Sequence, residues 1–121
     1  MSHRLVTGTV NEDDRVTFNE VSIKGDLPDR LVLMAIDPVR EGIHLWVPPY
    51  REVANLIKPQ AEGYSVSIRY VSISCPPAEL GAGYFFPSDR FSDERWEKLL
   101  KARTRALKKA GEEAIADLFG L

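Results

Sequence analysis

The chain reads as an α+β domain: a mainly antiparallel five-stranded sheet in meander order, one short helix and a long C-terminal amphipathic helix. Two observations predict this. Short apolar runs with a period of two recur through residues 4–73, separated by Pro, Gly or acidic clusters. The period becomes helical only at residues 50–57 and again after residue 92. A partly closed barrel is the alternative arrangement, although the five-stranded barrel of the OB type places its helix after the third strand, not after the fourth.

Residues 4–10 are rich in Leu, Val and Thr, and the acidic cluster Asn11-Glu12-Asp13-Asp14 predicts a reversal into a second strand at residues 15–24. Val16 and Phe18 have one parity, Val21 and Ile23 the other, so the pattern slips near Asn19-Glu20 and a β-bulge is expected there. Gly25-Asp26-Leu27-Pro28-Asp29 is a turn by composition. The unbroken run at residues 31–36 fits a central strand covered on both faces. After Asp37-Pro38, Ile43, Leu45 and Val47 alternate with His44 and Trp46 in a short fourth strand.

Pro48-Pro49 can begin a helix, and Tyr50, Val53, Ala54 and Ile57 have helical spacing before Lys58-Pro59 ends it. A loop at residues 60–63 leads to a fifth strand in which Tyr64, Val66, Ile68 and Tyr70 alternate with polar residues. Residues 75–87 form a Pro- and Gly-rich connection bearing Tyr84, Phe85 and Phe86, long enough to suggest a role of its own.

Ser92 is a good N-cap, and Asp93 and Glu94 complement the dipole of one helix expected over residues 92–121, with Gly111 its weak point. At 100° per residue, Leu99, Leu100, Ala106, Leu107, Ala110, Ala114 and Leu118 lie within about 80° of Trp96. Lys98, Lys101, Arg105, Lys108 and Lys109 form a basic ridge on the other side.

The 121 residues are expected to form a single domain, a β-rich core over residues 1–91 followed by the helix at 92–121. At 44% hydrophobic and 28% charged, the composition is that of a folded globular chain, not a disordered one. No apolar run is long enough to cross a membrane and the first residues lack a secretory apolar stretch, so no membrane association and a cytoplasmic location are expected. A lone cysteine, Cys75, agrees with a reducing compartment. A net charge of −2 argues against a protein that coats nucleic acid, since the basic patch is local.

No catalytic residue, metal or cofactor is assigned. His3, His44 and one cysteine fall short of a zinc site, Glu12-Asp13-Asp14 lacks the spaced ligands of a calcium loop, and Gly81-Ala82-Gly83 is not a phosphate loop. The expected function is a small non-enzymatic binding protein, acting on a protein partner as adaptor, inhibitor or accessory subunit through Lys98, Lys101, Arg105, Lys108 and Lys109. The alternative is a binder of single-stranded nucleic acid, with bases stacked on Tyr84, Phe85, Phe86 and Phe91 beside the basic face. Leu100, Leu107, Ala114 and Leu121 recur at seven-residue intervals, which leaves a homodimer open. Ile115-Ala116-Asp117-Leu118-Phe119 resembles the short sliding-clamp-binding peptide of bacterial replication proteins, but it lacks the glutamine and falls within the expected helix.

Overall fold

A computed structural model describes residues 3–24, 30–53, 56–59, 68–103 and 105–120. Its strands are β1 His3–Val10, β2 Val16–Lys24, β3 Arg30–Asp37, β4 Gly42–Trp46, β5 Ile57–Pro59, β6 Ile68–Cys75 and β7 Tyr84–Pro87. The helices are α1 Tyr50–Val53, α2 Asp93–Lys101 and α3 Arg105–Phe119. The seven strands form one sheet in the order β5-β6-β2-β1-β3-β4-β7.

The α+β class holds, while the meander does not. β1 and β2 pair as the expected hairpin, but β3 lies on the far side of β1 and runs parallel to it, from His3↔Arg30 to Thr9↔Ile36. The sheet is therefore mixed, with seven strands in place of five. β5 and β7 are its two edges, so it is open and the barrel alternative falls. The bulge is present, since the β2/β6 register shifts between Phe18 and Val21. The extra residue there increases the local twist.

β3 is covered on both faces, as its unbroken apolar run requires. Leu31, Leu33 and Ala35 join Val6, Val10, Val16, Phe18, Trp46, Ile73 and Cys75 in one core. Met34 and Ile36 join Ile43, Leu45, Phe91, Leu99, Leu107 and Ala114 in a second core beneath the helices. α3 approaches the sheet at Gly111, where an added Cβ would lie 2.9 Å from Met34 Cε and 3.0 Å from Thr7 Cγ2. Gly111 is thus a contact point and not merely a weak link in the helix.

Other elements depart from the sequence reading. The segment after Pro48-Pro49 is helical at Tyr50–Val53, but Ile57 belongs to β5. The connection at residues 75–87 contains a 3-10 turn, Pro77–Leu80, and the edge strand β7. The turn at residues 25–29, the loop at 60–63 and the first part of the fifth strand, 64–67, lie outside the described residues.

The single long helix is two. Ser92 caps α2, accepting a hydrogen bond from the Arg95 amide at 3.1 Å, but Ala102 is extended (φ −73, ψ 139) and ends it. α3 folds back against α2. Arg95 clasps the hairpin, donating to the Asp117 carboxylate at 2.7 Å and to that of Glu113.

Candidate partner-binding surface

The break at Ala102 rearranges the predicted basic ridge. Lys98 and Lys101 lie on α2, where they pair with Glu94 at 3.6 Å and Glu97 at 3.1 Å, each one turn earlier. Arg105, Lys108 and Lys109 lie on α3, with Lys108 and Lys109 exposed and the Arg105 side chain outside the described set. The five residues no longer share one continuous helix face. The apolar stripe also divides: Leu99, Leu107 and Ala114 are buried, whereas Leu100 is 43% exposed and Ala106 faces solvent.

What the hairpin creates instead is a groove of about 620 Å³ between α2 and α3. One wall is the α2 stripe Glu94, Glu97, Lys98 and Lys101; the other is Ala102, Ala106, Lys109, Ala110 and Glu113. The residues at 94, 97/98 and 101 and those at 106, 109/110 and 113 are each spaced by three or four, so each is one helix face, and Ala102 lines the groove from the break between them. The three alanines leave an apolar strip between charged side chains whose own carbons can cover it. Lys98, Lys101 and Lys109 came from the sequence reading; Glu94, Glu97 and Glu113 did not.

The four rings proposed for base stacking do not form one surface. Phe91 is buried in the helix-side core, and Phe86 is half-buried against Phe119, with ring centroids 6.3 Å apart and Arg90 over its other side. Tyr84 and Phe85 are 67% and 41% exposed. As neighbours on a strand they point to opposite faces. Residues 115–119, which resemble the sliding-clamp-binding peptide, lie within α3, with Phe119 against Phe86.

A second polar cluster lies at the β3/β4 turn. Asp37 is fully buried and accepts hydrogen bonds from the Arg40 amide at 2.9 Å, Arg40 Nη1 at 3.0 Å and His44 Nε2 at 2.8 Å. Burial alone would raise its pKa, but these donors and the charge of His44 together hold the carboxyl below its usual value. The His44 ring stacks on Trp46 at 5.5 Å and meets Phe85 at 4.8 Å. Arg40 also reaches Asp14 at 3.1 Å, joining the tips of the two hairpins. Asp14 and Glu41, one in each turn, have φ of 60° and 56°.

Asp37 is thus held by donors from its own turn and from β4, and His44, packed against the Trp46 and Phe85 rings, keeps 19% of its side chain exposed. Cys75 is buried, and burial followed by the nearby Glu79 pushes its thiol pKa up, which opposes thiolate chemistry. Among the described residues no three His, Cys, Asp or Glu side chains converge as metal ligands. No described helix is long and apolar enough to cross a membrane. Comparison with family models, curated proteins and solved structures gives no match to this chain.

Proposed function

We propose that this chain is a non-enzymatic binding protein, an adaptor, inhibitor or accessory subunit, that engages a protein partner through the α2/α3 groove. The observation that carries the reading is the alanine strip, exposed Ala106 flanked by half-buried Ala102 and Ala110, set between charged walls. Small residues allow a partner backbone to approach closely, and flanking charges give register and selectivity.

The β7 edge of the sheet is a poorer site. Ser88 donates its amide to the Glu41 carbonyl at 2.8 Å, so alternate pairing along β7 turns Tyr84 and Phe86 toward β4 and leaves Phe85 and Pro87 facing outward. Pro87 has no N–H, which leaves Phe85 as the sole outward amide of the four-residue strand. A peptide added there would find little to pair with. The exposed rings of Tyr84 and Phe85 favour a second reading, single-stranded nucleic acid, whose contacts would then lie on β7 and not on the groove.

The test places a photo-crosslinking amino acid at Ala106 and, as control, at Val39 on the opposite hairpin tip. A protein captured at position 106 after nuclease treatment, then shown to bind the purified chain directly and to lose binding with Ala106→Arg, is the expected result. Nuclease-sensitive capture by the same amino acid placed at Tyr84 on β7 supports the nucleic-acid reading. Direct binding that Ala106→Arg leaves intact removes the groove from the mechanism.

A further inference from the structure

The groove has an electrical direction, and this specifies its occupant; the inference rests on the groove reading above. Since Arg95 bonds both Glu113 and Asp117, the antiparallel register puts Lys101 level with Lys109 and Glu97 level with Glu113, one turn further along. One end thus carries Lys98, Lys101 and Lys109, with exposed Arg103 just beyond it. The other carries Glu94, Glu97 and Glu113. The alanine strip runs along the floor from the basic end.

The pairs Lys98–Glu94 and Lys101–Glu97 do not cancel this direction. All four side chains are more than half exposed, and exposed ion pairs of this kind exchange partners readily. An incoming helix can take over both halves of each pair.

We infer that the groove selects an amphipathic helix of a partner protein with an apolar stripe, acidic residues in its N-terminal half and basic residues in its C-terminal half. The stripe covers Ala102, Ala106 and Ala110. The acidic half meets Lys98, Lys101 and Lys109, and the basic half meets Glu94 and Glu97, Glu113 being held by Arg95, so the helix lies parallel to α3. That charge order is the one the helix dipole favours in any helix, and the reverse orientation would set like charges together.

A second copy of this chain fits less well. Its α2 has the required charge order, but its outward face is Glu94, Glu97, Lys98 and Lys101, with no apolar stripe to set on the alanines. Interfaces centred on Lys and Glu are disfavoured.

Two synthetic helices of the same composition and leucine stripe test the inference, one acidic-to-basic from its N-terminus and one in reverse order. Fluorescence anisotropy with the full chain should show the first binding tighter by about ten-fold or more. Exchanging the wall charges through Glu94→Lys, Glu97→Lys, Lys98→Glu and Lys101→Glu, with the fold verified by circular dichroism, should invert the preference. Equal binding of both peptides that Ala106→Arg abolishes overturns the charge-order rule and leaves the groove reading standing. Binding unaffected by Ala106→Arg overturns both. Failure of the acidic-to-basic peptide to bind, or dimerisation of the chain through this face, overturns the inference.

Discussion

Phe18 and Trp46 meet edge to face with ring centroids 6.5 Å apart, although β1 and β3 lie between their strands. In a flat sheet three strand spacings would separate β2 from β4 by about 14 Å. The sheet therefore curls toward this face, and the two rings close its core. Gly8 and Gly83 make room: an added Cβ would come within 2.5 Å of the Phe18 ring at Gly8 and of the Trp46 ring at Gly83.

Trp46→Ala and Phe18→Ala are each expected to destabilise the fold by about 3–5 kcal/mol. A double-mutant cycle in urea should find a coupling of about 0.5–1.5 kcal/mol between them. Additive effects would mean that the rings do not support one another across the curl.

Asp37 makes stability depend on acid. Its folded pKa lies below the unfolded value of about 3.9, so its contribution is complete above that pH and is lost as pH falls through the folded value. Asp37→Asn should lower stability at neutral pH by about 2 kcal/mol, since charge-assisted hydrogen bonds become neutral ones, and should flatten the loss below pH ~4. Urea midpoints between neutral and acid pH would show it. Parallel profiles for the two proteins would contradict the assignment.

Glu41 holds a left-handed backbone conformation in the β3/β4 turn. Glu41→Gly is expected to stabilise the protein by about 0.5–1 kcal/mol, the left-handed region favouring glycine. Thermal unfolding is the check, and a lowered midpoint would point to an unrecognised role for the Glu41 side chain.

At Gly111 the helix and sheet are too close for a branched side chain. Gly111→Val should cost about 2 kcal/mol, despite the better helix propensity of valine, because Met34 and Thr7 stand in its way. An unchanged denaturation midpoint would mean that α3 is free to lift.

Much of the strand pattern was legible in residues. The parity slip at Asn19-Glu20 marked the bulge, and the run from Leu31 to Ile36 marked the strand covered on both faces. Pairing was not legible, because nothing local in β1 distinguishes β2 alone as neighbour from β2 and a parallel β3 together. The end of α2 was equally silent: Ala102-Arg103 contains neither Gly nor Pro, and the break follows from tertiary packing of Leu99 and Leu107 on the sheet.

The site was half legible. Lys98, Lys101 and Lys109 were singled out as cations, but a continuous helix set them on a ridge when the fold sets them around a groove. Ala102, Ala106, Ala110 and Ala114 recur at every fourth position, a signal for close approach that was missed because Ala106, Ala110 and Ala114 were absorbed into the predicted core stripe and Ala102 was not singled out. Only Ala114 is fully buried among them. Asp37 was read as the end of a strand, since its burial depends on donors from Arg40 and His44 that only the turn brings round.

The most direct test is a comparison of partner binding by the wild-type chain and by Ala106→Arg, with Lys108→Ala as a control outside the groove. Equal unfolding midpoints, loss of partner affinity by about a hundred-fold in Ala106→Arg and near-normal affinity in the control are predicted. Undiminished affinity in folded Ala106→Arg would contradict the account.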